Sequence, residues 1–324
     1  MIGKSKIALA ILLATGAVGL TGAAAQESQP DVRMGRDIVA AASAFETYTR
    51  TAGAIAPGFK GPHDVMGALQ VSASHEPRQL EAGMIAYAAM AALQDHEFVE
   101  GVQRVAADRR SREAMVQRLS YNPETAIELP GAEAAAARAR AALLSRIEPL
   151  VADGQRVKQA AYAIQHKPWS KVFVSDAPQR LALVKQLAAQ PYSPIAGDAD
   201  RLYDAVTARV EGRPAAAPSP VVLRGLALAA MALAGHAGDE NAEALQSVLT
   251  EPRSASCMRM AKLNLFQCMA VAGPHYEDVF CLGEHAMIEP GKCMAQAAGA
   301  EAAPQPLQTA AMRIPVAAGR GGER

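Results

Sequence analysis

The sequence predicts an all-α protein, a multi-helix array of short helical hairpins open to a solenoid-like order, and three observations carry this. The 324 residues are 50% hydrophobic but only 4% aromatic, so the core has to be assembled from Ala, Leu, Val and Met. Ala is the strongest helix former, and its small side chain lets helices approach closely. Apolar residues recur at alternating steps of three and four along most of the chain, the spacing of one helical face. The breaks between these runs are short and marked by Gly, Pro, Asn or Asp.

The first 25 residues read as a secretory leader. Lys4 and Lys6 form a positive start, 7–20 is an apolar stretch, and Ala23-Ala24-Ala25 supplies a small-residue cleavage site, so the mature chain is expected to begin at Gln26. The apolar run is shorter than the ~20 residues of a spanning helix. The most apolar later run, 221–234, is interrupted by Arg224. No stable membrane insertion is expected after cleavage, and the location is expected to be periplasmic or secreted. Formal charge is 0, and removal of Lys4 and Lys6 leaves 30 basic against 32 acidic residues. Nucleic-acid binding calls for a basic footprint and, for single strands, stacking aromatics; neither is here, so no nucleic-acid partner is expected.

In the region 26–211 the pattern predicts a helix over 34–51, with Ile38, Ala41, Phe45 and Tyr48 on one face. Gly53, Pro57, Gly58, Gly61 and Pro62 break the chain before a short helix at 64–71 and a stronger one at 78–93. Asp95 is a good N-cap for the next helix, His96–Ala107. Short helices at 111–119 and after Asn122-Pro123 continue the pattern. Over 132–164 the expected helix carries interruptions at Pro149 and at Asp153-Gly154, and Arg138, Arg140 and Arg146 are expected on a solvated face. Pro168 makes a break at which the single Trp169 either covers the core or faces a ligand, the core being favoured. Helices at 177–189 and 198–210 follow. The Pro/Ala-rich stretch 212–220 is expected to be an extended linker. A bundle of about four helices is expected over 221–298, and a disordered tail over 299–324. One internal echo, Met231-Ala-Leu-Ala-Gly-His236 against Met269-Ala-Val-Ala-Gly-Pro-His275, has an offset of 38 residues, within the range of helical repeat units.

All four cysteines lie within 257–293. Met258, Ala261, Leu265, Cys268 and Ala272 share a helix face, Gly273-Pro274 ends that helix, and a second starts near His275 with Tyr276, Phe280, Gly283 and Met287 on one face. This second helix is expected to stop by Pro290-Gly291, with Cys293 just beyond. Cysteines eleven residues apart on a helix are about 16 Å apart, beyond the ~7 Å reach of a disulfide, so Cys257 cannot close on Cys268. An antiparallel hairpin brings Cys268 to Cys281 near the turn and Cys257 to Cys293 at the far end. The spacing is similar to that of the twin CX9C helical-hairpin proteins, with longer intervals, C-x10-C and C-x11-C, over less than an eighth of the chain. That resemblance implies the same nested pairing. The alternative is a metal site using Cys281 with His285 and Cys293 with His275. It lacks the short Cys pairs of zinc sites, and neither a metal nor a cofactor is expected.

Catalytic motifs are missing. The chain has no G-x-S-x-G, S-x-x-K, P-loop or G-x-G-x-x-G pattern, and no catalytic residue is assigned. His96-Glu97 begins like a zinc-protease helix but has Glu100 where the second histidine belongs. His63-Asp64 and His75-Glu76 are local His–carboxylate pairs of the kind found at helix starts. The leading expectation is an exported, non-catalytic binding or scaffold protein of the bacterial cell envelope whose grooves receive a protein or peptide. The competing one is a cell-envelope enzyme with a site assembled from His166, Trp169, His275 and His285.

Overall fold

A computed structural model describes residues 32–210 and 217–300. The leader, the tail beyond Ala300 and most of the 212–220 linker lie outside the described residues. Thirteen α-helices and no strands are present among the described residues: α1 (Arg36–Ala52), α2 (Pro62–Ala73), α3 (Pro77–Ala92), α4 (His96–Ala107), α5 (Arg109–Tyr121), α6 (Ala132–Ile164), α7 (Ala177–Ala189), α8 (Asp198–Thr207), α9 (Pro220–Leu233), α10 (Ala242–Leu245), α11 (Pro252–Val271), α12 (His275–Gly283) and α13 (Glu289–Ala297). No described helix is long and apolar enough to cross a membrane. Side-chain caps set several starts, as Asp95 accepts from Phe98 N at 3.0 Å and Asp108 from Ser111 N at 2.8 Å.

Two helices are buried on nearly every side. In α3 the whole run 83–92 is buried, and in α9 the run 225–233. Both are Ala-rich, so neither presents a bulky stripe. They pack by close approach: a Cβ added at Gly225 would stand 2.6 Å from Ala88 Cβ. Each fully buried Leu, Ile or Met contributes about 1.5–3 kcal/mol, and Ala less, so shape fit at this contact replaces side-chain bulk. The contact joins chain from both sides of the 212–220 stretch into one core. α3 also packs on α1, α6, α8 and α11, an enclosed arrangement rather than hairpins stacked in sequence order, and a solenoid order is not seen. The two echo segments also end differently. Gly235 takes the left-handed conformation, with His236 N donating to Met231 O at 2.8 Å, whereas α11 runs out through Ala272 in extended backbone.

Three expectations are corrected. First, α6 is unbroken through Pro149 and Asp153-Gly154. An interior proline costs ~3 kcal/mol, but Pro149 and Ser145, whose carbonyl loses its partner, face solvent. Burial of Leu143, Ile147, Leu150 and Val157, at about 1.5–3 kcal/mol each, outweighs it. Gly154 serves close packing, since a Cβ there would lie 2.9 Å from Met287 Cβ. Second, Pro290-Gly291 does not stop the second hairpin helix. A π-helical turn, Glu284–Ile288, joins α12 to α13, and Cys293 lies inside α13. Pro290 has no N–H for the carbonyl of Ala286, and the Tyr48 hydroxyl donates to that oxygen instead, at 2.8 Å. Third, Arg138, Arg140 and Arg146 of α6 are half-buried clamps. Arg138 donates to Ala91 O at 3.1 Å, Arg140 to Gly299 O, and Arg146 to the buried Glu46 at 2.9 Å.

The nested disulfides are present. Cys257–Cys293 and Cys268–Cys281 both have Cα atoms 5.7 Å apart, which ties α11 to α12 and α13. Disulfides of this kind persist in non-reducing, extracytoplasmic surroundings.

Candidate functional site

The C-terminal turn of α6 meets the bend between α11 and α12 in an open apolar groove of 480 Å³. Tyr162, Val271, Tyr276 and Phe280 form its walls, and the Cys268–Cys281 bridge lies against it. Tyr162 is 53% and Val271 82% exposed. The Phe280 ring meets Tyr162 edge-on at 6.2 Å, with Lys158 Nζ 5.2 Å over its face, so its position is set from two sides. A neighbouring cleft of 370 Å³ shares Gln165, Tyr276 and Glu277 with the groove and continues it to His166, Lys171 and Phe173.

A smaller pocket of 270 Å³ lies between α2, α7 and α12; its open surface is mostly apolar, from Val65, Met66 and Val174 among others, and the polar side chains His63, Asp176, Arg180, His275 and Asp278 border it. Arg180 is fully buried. Its Nη1 stands 2.7 and 2.8 Å from the two Asp278 oxygens, and its Nη2 donates to the carbonyls of Met269 (2.8 Å) and Ala272 (3.0 Å) at the end of α11. Burial pushes the Asp278 carboxyl up to about 7 against the pull of Arg180. Burial and the Arg180 charge both hold His275 below its ordinary value. Arg180 closes the end of one helix and anchors the next. That commits both Nη atoms to the fold, while the buried Nε has no hydrogen-bond partner among the described residues.

A second polar cluster lies inside the body, bordering none of these clefts. Lys262 Nζ donates to Ala73 O at 3.1 Å and lies 3.3 Å from His75 Nδ1, which is itself 3.0 Å from Ser72 O. When Nδ1 carries the proton for Ser72, an ammonium at Lys262 would set N–H against N–H, whereas a neutral amine turns a lone pair to it. Burial accordingly lowers Lys262 to about 7, opposed by Glu76, and holds His75 well below its usual value. Glu81, buried in α3, accepts from Ser254 Oγ at 3.3 Å and from Glu251 N; burial raises it to about 7. A cleft of 700 Å³ beside Leu129 and Val210 is edged by Asp95 and Arg138, which already serve as a helix cap and a clamp.

Of the four residues expected to form a site, the structure brings two together. Trp169 is half-buried against the core, with its ring 6.4 Å from that of His275. His166 is exposed at the edge of the 370 Å³ cleft. His285 has other neighbours, Phe280 at 6.4 Å and Glu289 Oε2 at 3.0 Å from Nδ1. Among the described residues no three His, Cys, Asp or Glu side chains are placed to hold a metal ion. Sequence reasoning missed Arg180, Lys262 and Asp278, and periodicity held the signal. Arg180 shares the buried stripe of Val184 and Ala188, and Lys262 that of Met258, Leu265 and Met269. The chain matches no family model, no curated protein and no solved structure.

Proposed function

We propose that this chain is an exported, non-catalytic helical binding protein of the cell envelope, periplasmic or secreted, whose groove at the disulfide hairpin receives a polypeptide segment of another protein. The carrying observation is the open groove whose apolar walls, Tyr162 and Val271, are more than half exposed. Contiguous exposed apolar surface is the usual mark of an interaction site. A polypeptide is favoured over a small molecule because the groove continues into a second cleft, an elongated track that suits alternating side chains better than a closed ligand pocket. The leader-like start and the two disulfides support export. The 270 Å³ pocket gives the enzyme reading less support, because Arg180 and Asp278 are engaged with each other and Arg180 also with helix-end carbonyls.

Selection from a display library of short random peptides on the oxidised protein tests this. Enriched peptides should be rich in apolar residues and should lose at least about tenfold in affinity on Val271→Glu or Phe280→Ala. Failure to enrich any peptide, or peptides that bind both variants as well as the parent, would overturn the reading.

A further inference from the structure

After the short 3₁₀ turn Pro168–Lys171 the chain runs extended at Val172 before turning at 175–176 into α7, and Phe173 forms one antiparallel bridge with Pro274. The bridge is closed by Val174 N donating to Gly273 O at 2.9 Å and His275 N to Val172 O at 3.3 Å. In this kind of pair the two facing residues exchange no hydrogen bonds, and their own N–H and C=O groups point away from each other. Pro274, which has no N–H, fits only such a position. The N–H and C=O of Phe173 therefore turn outward, and no described residue bonds to either of them. The Phe173 side chain is 73% exposed and that of Val172 56%. Open edges of this composition are normally blocked by proline, a bulge or a covering element, because they template pairing with another chain. Among the described residues no such element covers it.

We propose that Val172-Phe173-Val174 is a strand-pairing edge, at which an extended segment of a partner protein bonds to the Phe173 backbone and lays an acidic side chain beside Lys171. This rests on the reading that the groove receives polypeptide, and it specifies how that polypeptide is held. Only a peptide backbone offers an N–H and a C=O at the spacing the edge presents. The charge preference follows from the rim. His166, Lys167 and Lys171 are exposed and form no ion pair among the described residues, the Glu277 carboxylate accepts from Gly273 N at 2.8 Å, and Asp176 borders the 270 Å³ pocket beside His275. A second copy of this chain is the poorer occupant, since edge-to-edge pairing would bring two basic rims together.

The test is an amide NMR titration of the wild-type protein with a blocked heptapeptide of alternating valine and glutamate. Two further versions carry N-methyl groups on every valine or on every glutamate. The Phe173 amide proton is expected to move downfield with the unmodified peptide, and one methylation pattern, but not the other, should weaken binding at least about tenfold. Lysine in place of glutamate, or Lys171→Glu in the protein, should weaken it comparably. A Phe173 amide that stays still while Tyr276 and Phe280 signals move would overturn the edge and leave the groove reading standing. Equal binding of both methylated peptides would do the same. No response at millimolar peptide, or a concentration-dependent doubling of mass, also overturns the proposal, and the library selection then judges the groove separately.

Discussion

Arg180 and Lys262 are both buried basic side chains on otherwise apolar helix stripes, yet their surroundings differ. Arg180 has a carboxylate on one nitrogen and two helix-end carbonyls on another. Lys262 has one carbonyl and an imidazole nitrogen, with no carboxylate in hydrogen-bond reach. A guanidinium cannot give up its proton in a protein, so it is buried only where a partner is supplied. An amine can, and Lys262 meets its burial by discharging. The first site is an electrostatic clamp that fails if a partner is lost. The second behaves as a polar spacer whose charge depends on pH.

The largest effect should come from breaking the clamp. Asp278→Ala leaves the Arg180 charge uncompensated and should cost about 3–5 kcal/mol in denaturant unfolding. Lys262→Met removes an amine that is largely neutral and should change stability by less than about 1.5 kcal/mol at pH 10, where the unfolded lysine has also begun to lose its proton. Similar losses from both substitutions would erase the distinction.

The pH dependence sharpens the contrast. Lys262 titrates near 7 when folded and at about 10.4 when unfolded. Between those values the unfolded state holds more protons, so this group makes stability rise with pH, by up to ~1.4 kcal/mol per unit. Glu81 titrates near 7 when folded and at about 4.3 unfolded; there the folded state holds more protons, and stability falls as pH rises through that window. Relative to wild type, Lys262→Met should flatten the alkaline arm and Glu81→Gln the acid arm. Urea midpoints measured from pH 4 to pH 10 read both. A Lys262→Met curve parallel to wild type above pH 7 would show that the lysine stays charged inside the body.

The smallest effect concerns a neutral contact. Tyr48→Phe removes the donor to Ala286 O and should cost about 1–2 kcal/mol. In the background of Pro290→Ala, which restores a backbone N–H able to reach that carbonyl, the cost should shrink to a few tenths. A double-mutant cycle in thermal melts measures the coupling, and additivity would disconnect hydroxyl from proline.

The parts of this architecture legible in the sequence are those governed by local physics. Asp95 marked the start of α4 because capping is decided within a few residues. The nested bridges followed from helical rise and disulfide reach. What local rules misread was decided by distant partners. Pro149 and Pro290 sit inside helical stretches because burial on one side, and Tyr48 from far along the chain, offset the lost hydrogen bonds. The groove was invisible for the same reason: its walls come from the end of α6 and from the 271–280 bend, which only folding brings together. Trp169 and His275 were named without knowledge that their rings face each other, while Arg180 was passed over as one more basic residue on an alanine-rich helix.

The continuity of α6 also fixes a length. Arg140, near its start, holds the carbonyl of Gly299, where the described chain ends, and Tyr162, near its finish, walls the groove. Twenty-two residues of uninterrupted helix separate them, about 33 Å at 1.5 Å per residue. Gly299 and the groove are therefore set about 33 Å apart along the axis of α6, which spaces the two ends of the body as a ruler does.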